Sequence, residues 1–273
     1  MSENRPGRVL LTGAAGDVGS VLRKGLAGRY PVLRVSDIAD MGEARAGEEV
    51  VYADIRKPDE VDRMMEGVDA IVHLGGHPVE NSWENILQTN IAGVYNVFES
   101  ARQHGVKRII FASSNHAIGF YRRNRRIDSN VPARPDSRYG LSKAFGEDLG
   151  SLYADKHNIG VMAIRIGSCL KRPPNERMLS TWISHPDMVH LTQVGLETPE
   201  LHFAIVYGIS ANTRGWWDNS VAFDLGYDPQ DDSEIYADEI LAMDPPEDAD
   251  EIALQFQGGV FTSAEFDGDD SKV

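Results

Sequence analysis

A tyrosine and a lysine four residues apart carry the side chains with the clearest chemical potential in this chain. Tyr139 and Lys143 belong to the segment Tyr-Gly-Leu-Ser-Lys, and a spacing of four places two side chains on one face of a helix. A free phenol has a pKa of about 10, and an adjacent ammonium favours the phenolate. A decrease of roughly two to three units makes the phenol a useful general base at neutral pH. Ser114, at the end of an earlier apolar run, is expected to hold the oxygen that loses the proton.

A glycine-rich turn near the start of the chain has the composition of a phosphate-binding loop. An apolar run at 8–12 leads directly into Gly13, Gly16 and Gly19, and residues 18–26 repeat apolar side chains with helical spacing. Glycines let the backbone approach a phosphate, and a helix N-terminus favours its negative charge. Such a glycine pattern alone often marks only a turn, but the strand, turn and helix in this order predict a dinucleotide site.

Further apolar runs repeat this unit and predict the fold. The run at 31–35 leads to Asp37, about 20 residues beyond the glycines, where such folds place a carboxylate on the adenosine ribose. This acid would repel a 2′-phosphate, which favours NAD over NADP. Four more runs, at 50–54, 69–76, 107–116 and 161–166, end in polar residues or glycines. Parallel strands bring such ends to one edge of a sheet, so we predict an α/β fold: a Rossmann-like doubly wound parallel sheet with a small C-terminal substrate-binding part.

Two long helices are predicted at 83–104 and 139–157. Asn90 lies inside the first, where an asparagine is mildly unfavourable, so we expect it to bond backbone or water near the site, with a solvent-facing position as the alternative. The apolar side of the second helix is expected to consist of Leu141, Phe145, Leu149, Leu152 and Tyr153.

With these segments in view, the chain resembles the extended short-chain dehydrogenases/reductases, and among them it is most similar to the bacterial uronate dehydrogenases. The resemblance runs nearly end to end. It rests on Thr12-Gly13-Ala14-Ala15-Gly16, His73-Leu74-Gly75-Gly76, Phe111-Ala112-Ser113-Ser114-Asn115-His116, Tyr139-Gly140-Leu141-Ser142-Lys143, Arg165-Ile166-Gly167-Ser168-Cys169, Arg177-Met178-Leu179-Ser180-Thr181-Trp182 and Gly215-Trp216-Trp217-Asp218-Asn219.

The resemblance implies an enzyme that oxidises the anomeric carbon of a hexuronic acid, galacturonate or glucuronate, to the aldarolactone and reduces NAD⁺. It implies that Tyr139 accepts the proton and that Lys143 binds the nicotinamide ribose and tunes Tyr139. Arg177 would bind the C6 carboxylate. Independently of the family, a planar guanidinium can bind a carboxylate through two parallel charge-assisted hydrogen bonds; a surface arginine paired with Glu176 or Asp187 is the alternative.

The predicted site residues fall into three groups. The catalytic residues are Tyr139, Lys143 and Ser114. The cofactor-binding residues are Gly13, Gly16, Asp17, Val18, Gly19, Asp37, Asp54, Ile55, Leu74, Gly75, Gly76, Asn90, Tyr139, Lys143 and Cys169. The substrate-binding residues are His77, Ser114, Asn115, His116, Ser168 and Arg177. The chain departs from the family pattern at His77-Pro78, where a small polar residue is expected; because proline offers no donor, one sugar contact is missing or is supplied by His77.

Composition bounds the remaining expectations. With 273 residues, 41% of them hydrophobic, the chain can bury one large core. We predict a NAD-binding part at 1–170, a smaller substrate-binding part of the same globule at 171–265 and a disordered acidic tail at 266–273. Within the C-terminal part, residues 256–261 are expected to dock on a neighbouring subunit or to form an edge strand. The loop 121–136, rich in arginine and proline, is expected to be a flexible, solvated flap.

Charge and cysteine content exclude several kinds of partner. The net charge is −15, and residues 224–273 contain sixteen acidic residues against one basic residue, Lys272. Such an end repels nucleic acid and anionic membranes. Cys169 is the single cysteine, no apolar stretch approaches the ~18 residues of a membrane helix, and residues 1–7 lack a signal-peptide core. We expect a cytoplasmic protein without a metal site, because no group of residues has metal-ligand spacing.

Two other functions remain open at this stage. A related enzyme would act on a sugar nucleotide, as an epimerase or dehydratase, or reduce another small carbonyl compound; the stretch after Arg177 is short for gripping a nucleoside diphosphate. A NAD-binding regulator would sense redox state without chemistry, but Ser114, Tyr139 and Lys143 argue against it. The sequence does not rank galacturonate against glucuronate. A homo-oligomer that pairs through helices flanking the sheet is expected from the superfamily.

Overall fold

The computed structural model describes residues 5–243 and 250–273. Nine strands lie within them: β1 Arg8–Thr12, β2 Val32–Asp37, β3 Glu48–Tyr52, β4 Ala70–His73, β5 Arg108–Ser114, β6 Gly160–Ile166, β7 Ser168–Cys169, β8 Trp182–Ile183 and β9 Phe203–Gly208. Seven of them form one sheet in the order β3-β2-β1-β4-β5-β6-β9, and every pairing is parallel. The order reverses between β1 and β4, where doubly wound folds bind their ligands. The predicted Rossmann-like α/β fold is confirmed.

Helices connect these strands. They are α1 Asp17–Gly25, α2 Pro58–Met65, α3 Trp83–Asn85, α4 Val94–Gln103, α5 Arg138–His157, α6 Glu176–Thr181, α7 His185–Glu197, α8 Ser220–Asp224, α9 Ala237–Leu241, α10 Glu251–Gln255 and α11 Val260–Ser263. A π-helical segment, Ile86–Gly93, joins α3 to α4, so the predicted helix at 83–104 is present with a widened middle. None of the described helices has the length and apolarity needed to cross a membrane.

Both faces of the sheet are covered. Successive residues of a strand point to opposite faces, so Val9 and Leu11 enter one hydrophobic layer and Leu10 enters the other. Helices α1 and α7 cover the first layer, and α2, α4 and α5 cover the second. Because both faces are buried at the centre of the sheet, β1, β4 and β6 are mostly apolar, as predicted. The edge strand β3 begins with Glu48 and Glu49 and has no buried residue.

One predicted helix face is partly wrong. In α5, Leu149 and Tyr153 are buried, but Leu141 and Leu152 are 46% and 45% exposed. The buried side instead includes small residues and the charged Glu147, whose carboxylate accepts hydrogen bonds from the Arg165 guanidinium at 2.9 Å. A buried ion pair thus replaces apolar contact on this side of α5, which hydrophobic periodicity cannot reveal.

The loop 121–136 is not a solvated flap. Arg123 donates to the carbonyls of Phe256 and Ala253 at 3.0 and 2.7 Å, and Ile127 pairs with Trp217 in a parallel bridge. The prediction of a solvated flap was wrong for the part of the loop that contains Arg122 and Arg123, because these arginines bond backbone carbonyls of the C-terminal segment. Arg125 and Arg126 are exposed, as expected.

The C-terminal segment packs on its own chain. Phe256 is fully buried and pairs with Arg122 in an isolated antiparallel bridge, and the helical turn α11 follows. Docking on the same subunit is therefore correct, but as a bridge and a helical turn rather than an edge strand. Residues 266–273 include a short 3-10 helix, Asp270–Lys272, and the Asp270 carbonyl accepts a hydrogen bond from Arg122. The division at residue 170 stays a prediction.

Candidate active site

A cavity of about 1590 Å³ opens at the carboxyl edge of the sheet. Its wall contains nearly all of the predicted site residues: Gly13, Gly16, Asp17, Val18, Asp37, Asp54, Ile55, Leu74, Gly75, Gly76, His77, Ser114, Asn115, His116, Tyr139, Lys143, Ser168, Cys169 and Arg177. Gly19 and Asn90 are the two predicted residues that do not line it.

The glycine loop has the shape of a phosphate cradle. Gly13 has a φ of +68°, and a Cβ there would lie 2.8 Å from the Leu74 carbonyl carbon. A Cβ at Gly19 would collide with the Gly13 carbonyl oxygen, so Gly19 lets α1 pack against the loop instead of lining the cavity. Helix α1 begins directly after Gly16. The first amide groups of a helix have no partner within it, so the start of α1 offers hydrogen-bond donors to the cavity. These features fit a dinucleotide pyrophosphate.

The carboxylate expected to bind the ribose lies beside this loop. Asp37 ends β2, and its two oxygens accept hydrogen bonds from the amides of Ala15 and Ala39, each at 3.0 Å. Asp54 follows β3, where the Arg56 guanidinium contacts its carboxylate at 2.6 Å and lowers the pKa of that group. Both acids line the cavity, and they place negative charge at the end predicted for the adenosine.

Asn90 holds a neighbouring loop in place. Its Oδ1 accepts from the His77 amide at 2.8 Å, and its Nδ2 donates to the His77 carbonyl at 3.0 Å and to Ser142 Oγ at 3.2 Å. The expectation that Asn90 bonds backbone near the site agrees with these contacts. Because its amide is used in this way, Asn90 supports the cavity wall from behind and is not part of it.

The Tyr139 phenol and the Lys143 ammonium are adjacent and buried. Lys143 Nζ lies 5.4 Å from the centre of the Tyr139 ring and donates to the Ala112 carbonyl at 2.8 Å. Burial lowers the pKa of Lys143 to about 8.

Without NAD the pKa of Tyr139 is raised, so the Lys143 ammonium alone does not produce the predicted lowering; the further lowering expected from a bound positive nicotinamide stays a prediction. Burial raises the pKa of Tyr139 to about 12, the Ser114 hydroxyl opposes this by hydrogen bonding, and the Asp136 carboxylate adds to the increase. Desolvation disfavours the phenolate more than the neighbouring groups favour it. The positions of Tyr139, Lys143 and Ser114 nevertheless agree with the predicted arrangement.

Arg177 lies deep in the opposite wall. Its Nε donates to the Gln257 carbonyl at 2.8 Å, and with the Asn115 amide in its satisfied orientation, Asn115 Oδ1 accepts from Nη2 at 2.8 Å. Burial lowers the pKa of Arg177 to about 10, and the nearby Arg123 cation acts in the same direction. Within the described residues Arg177 forms no ion pair with Glu176 or with Asp187, whose carboxylate instead accepts from Ser210. The alternative of a paired surface arginine is therefore wrong.

The segment around Cys169 closes the nicotinamide end of the predicted site. Ser168 and Cys169 form β7, which pairs with β8, and Ser168 Oγ lies 3.1 Å from Thr181 Oγ1. Burial raises the pKa of the Cys169 thiol to about 12. Cys169 therefore contributes a neutral thiol to the wall.

Sequence reasoning missed several residues of the cavity. Arg123 lines it beside Arg177, and Phe261 stacks on His116 with ring centres 3.9 Å apart. Asp136 binds His116 Nδ1 at 2.7 Å. No local motif marks these residues. Arg123 and Phe261 reach the cavity only through the packing of loop 121–136 and the C-terminal segment, and Asp136 is buried beside His116 without lining the cavity.

Comparison with known proteins agrees with this site. The model of the NAD dependent epimerase/dehydratase family matches residues 9–185. Uronate dehydrogenase from Pseudomonas putida is 52% identical over 258 residues, 94% of this chain and 96% of that protein. The crystal structure of glucuronic acid dehydrogenase from Chromohalobacter salexigens is 48% identical, with a TM-score of 0.92 over 98% of this chain and 100% of that one. A tyrosine-to-alanine mutant of uronate dehydrogenase from Agrobacterium tumefaciens, complexed with NAD, is 46% identical, with a TM-score of 0.90 over 94% of this chain and 97% of that one.

These similarities confirm the resemblance on which the sequence predictions depend. They cover the glycine loop, the Tyr139 helix and the segment that carries Arg177, and the family takes NAD as its cofactor. The chain therefore belongs to the NAD dependent epimerase/dehydratase family, and its similarity to uronate dehydrogenases extends over nearly its whole length.

Proposed function

We propose that this chain oxidises the anomeric carbon of a hexuronic acid, galacturonate or glucuronate, to the aldarolactone, with NAD as the hydride acceptor. The observation that carries the proposal is the Arg177 guanidinium, which is buried in the cavity wall with backbone and amide partners. Among the described residues no carboxylate forms an ion pair with it, although the charge of Asp136 acts on it from a longer distance and raises its pKa against the effect of burial. A buried cation of this kind is stabilised by an anionic ligand. Similarity to proteins named uronate dehydrogenase and glucuronic acid dehydrogenase supports the same substrate class.

The chain's residues fit NAD. The cradle at Gly13 and the start of α1 would hold the pyrophosphate, Asp37 would bind the adenosine ribose, and Lys143 would bind the nicotinamide ribose. Bound there, NAD⁺ would supply the hydride acceptor for C1 of the sugar and a positive charge that favours the phenolate. The Asp37 carboxylate disfavours a 2′-phosphate at the same position, so we propose NAD rather than NADP.

Tyr139 supplies the acid–base step of the proposed reaction. Its oxygen takes the proton of the anomeric hydroxyl while C1 loses the hydride, and the C1–O bond becomes the lactone carbonyl. The Ser114 hydroxyl, whose interaction with the phenol lowers the pKa of Tyr139, would hold the sugar oxygen so that its proton faces the phenol. The Lys143 ammonium, 5.4 Å from the phenol ring centre, stabilises the negative charge that Tyr139 must carry before it accepts the proton.

Arg177 sets the substrate class in this proposal. A hexuronate would place its carboxylate on the guanidinium, whereas a neutral aldose would leave the buried cation without an anion. Asn115 accepts from Arg177 and donates to the Ile166 carbonyl, so the guanidinium is held in a defined orientation. Specificity for an acidic sugar then follows from a preformed site.

The test compares acidic with neutral sugars. Galacturonate and glucuronate should be oxidised with NAD, and galactose and glucose should not, as followed by NADH absorbance. Arg177→Gln should lower kcat/KM for uronates by roughly 10- to 150-fold, the loss expected for a hydrogen-bonded charged group, and Arg177→Lys should restore part of it. Arg172→Gln, which removes an exposed arginine paired with Glu239, is the matched control and should have no effect. Equal turnover of neutral sugars, or an unimpaired Arg177→Gln variant, would contradict the proposal.

We also propose that the enzyme acts in the cytoplasm as a homo-oligomer. A single cysteine cannot form a disulfide within the chain, which suits a reducing compartment. Four large apolar side chains are 45 to 49% exposed on the helices that flank one face of the sheet: Trp83, Tyr95, Leu141 and Leu152. Such a surface is typical of an interface, and light scattering of the purified protein gives the oligomeric state directly.

A further inference from the structure

The His116 imidazole is fixed by a carboxylate and by two aromatic rings. Its Nδ1 lies 2.7 Å from Asp136 Oδ2, one ring face stacks on Phe261 with centres 3.9 Å apart, and the Tyr139 ring approaches edge-on at 5.8 Å. The side chain keeps 14% exposure and lines the cavity. The imidazole is therefore fixed in orientation at the wall that also carries the phenol.

Asp136 is buried in a slot made for its carboxylate. Its side chain has no exposed surface. A Cβ at either Gly119 or Gly258 would overlap the carboxylate, and the Gly258 amide donates to the Gly119 carbonyl at 2.9 Å, which joins the two walls of the slot. Because Gly119 and Gly258 have no side chains, the slot has room for the Asp136 carboxylate.

Both carboxylate oxygens of Asp136 are acceptors. Oδ2 faces His116 Nδ1, and Oδ1 accepts from the Ser137 hydroxyl at 2.8 Å. An ionised carboxylate can only accept, so the Nδ1 of His116 must carry the proton. In the neutral imidazole the other nitrogen, Nε2, then has a free lone pair. An asparagine at position 136 has one acceptor oxygen and would leave one of the two donors unpaired.

We propose that Asp136 is a positioning residue that sets His116 as a hydrogen-bond acceptor for a sugar hydroxyl. Asp136 holds the proton on Nδ1 and turns Nε2 toward the cavity, and Phe261 fixes the plane of the ring. This inference rests on the proposed function, because it concerns how that substrate is bound. The resemblance already implies that His116 contacts a sugar hydroxyl; what this inference adds is the role of Asp136, which makes His116 an acceptor in that contact.

Steady-state kinetics with glucuronate, galacturonate and NAD test the proposal. Asp136→Asn should raise KM for the uronate about tenfold or more and leave KM for NAD within about twofold. The matched control is Asp155→Asn, which removes the carboxylate of an exposed Asp–His pair whose His202 Nε2 lies 2.9 Å from Asp155; it should change neither constant. If the wild-type enzyme oxidises uronates and Asp136→Asn has the same KM values as Asp155→Asn, the inference is overturned and the proposed function is unaffected.

A double-mutant cycle separates positioning from general stability. Because Asp136 acts through His116, Asp136→Asn in a His116→Gln background should change KM for the uronate by less than about twofold. Additive effects of the two substitutions would overturn the inference. Wild-type enzyme inactive toward both uronates would overturn the proposed function instead.

The tautomer itself can be observed in the wild-type protein, without a substitution at the buried position. Nitrogen NMR of the imidazole rings, with His116 assigned by comparison with His116→Gln, should show its proton on Nδ1. A proton on Nε2 with a bare Nδ1 would overturn the proposal, even if Asp136 variants fail to fold.

Discussion

The proposed chemistry depends on the Tyr139 hydroxyl, and its surroundings have opposing effects on its pKa. Burial raises its pKa to about 12, so the phenol is protonated at neutral pH in the unliganded chain. The Ser114 hydroxyl opposes this increase, and the Lys143 ammonium lies 5.4 Å from the phenol ring centre. Under the proposed function, the positive nicotinamide would further favour the phenolate, so the base would form when NAD is bound.

Replacing Tyr139 by phenylalanine tests this role directly. Tyr139→Phe removes one oxygen from a buried ring, so the fold should persist, while kcat should fall by roughly 10²- to 10⁴-fold. NAD affinity, measured by fluorescence titration, should change little, because the glycine loop and Asp37 are intact. Tyr95→Phe, which alters an exposed tyrosine of α4, is the control. Retained turnover in Tyr139→Phe would remove Tyr139 from the mechanism.

The pKa values of the two buried groups, Tyr139 and Lys143, predict how kcat/KM depends on pH. In the proposed mechanism the reactive form has Tyr139 as phenolate and Lys143 as ammonium. Their pKa values are about 12 and about 8. Below about pH 8 the ammonium is intact and the phenolate fraction rises tenfold per pH unit. Above that pH, loss of the ammonium offsets the gain in phenolate.

We therefore expect kcat/KM to rise with pH up to about 8 and then to level off. Lys143→Gln should lower kcat/KM throughout and abolish the plateau, because only the phenol then titrates. Measurement of kcat/KM from about pH 6 to pH 10 in a buffer of constant ionic strength checks both the wild type and Lys143→Gln. A wild-type profile that falls between pH 6 and pH 8 contradicts this assignment.

At the scale of elements, the active site depends on loops tied to helices. The π-helical segment Ile86–Gly93 places Asn90 where it binds both polar backbone groups of His77 and the Ser142 hydroxyl of α5. A second tie lies nearby: Glu80 accepts from the Tyr139 amide and from the Arg138 guanidinium, each at 2.8 Å. The loop that follows β4 is thereby held against the start of α5.

Asn90→Ala should loosen this loop. It leaves the His77 amide and carbonyl without their side-chain partner, at a cost of about 1–3 kcal/mol of unfolding free energy. We expect a lower Tm and a several-fold higher KM for NAD, with a smaller change in kcat, since the tyrosine and lysine stay in place. Gln88→Ala, on the exposed side of the same segment, serves as control. A variant as stable as Gln88→Ala would show that the clamp is dispensable.

At the scale of the whole molecule, the C-terminal part returns to the site built by the first half of the chain. Arg122 and Arg123 bond carbonyls between residues 253 and 270, which brings Phe261 onto His116. The acidic end of the chain is thus attached through its backbone carbonyls. This packing completes the substrate wall.

Acid should destabilise the fold through a buried histidine. His73 ends β4, its Nδ1 lies 2.7 Å from Thr12 Oγ1, and its Nε2 has no partner within the described part of the chain. Burial, followed by the Lys143 charge, lowers the pKa of His73 to about 3 from 6.5. The unfolded chain therefore binds a proton that the folded chain refuses between those pH values, and stability falls as pH falls through this window.

His73→Gln should make the protein less sensitive to acid. The wild type is expected to lose up to about 1.4 kcal/mol of unfolding free energy per pH unit from this histidine between about pH 6.5 and pH 3. Urea unfolding at several pH values measures the slope, which should be shallower in His73→Gln even if that variant is less stable at pH 7. His202→Gln, at an exposed histidine paired with Asp155, should keep the wild-type slope. Parallel slopes for wild type and His73→Gln would contradict the assignment.

The predictions that succeeded depend on local signals. The strand at 8–12, the glycine loop and the four-residue spacing of Tyr139 and Lys143 are each encoded within a few residues, because backbone preferences and side-chain periodicity act over that range. The loop 121–136 was misjudged because its arginines bind carbonyls more than 120 positions away along the chain.

The amino-acid order by itself determined the parallel sheet and the edge at which its polar strand ends meet, and it supplied the residue types proposed as the base and as the carboxylate-binding group, since these follow from short-range patterns. Only the tertiary structure decided which distant residues meet there. The Asp136, His116 and Phe261 cluster is assembled from three separate segments. The direction of the Tyr139 pKa was likewise decided by burial among all of them, because desolvation is a property of the complete surroundings and not of neighbouring residues in the chain.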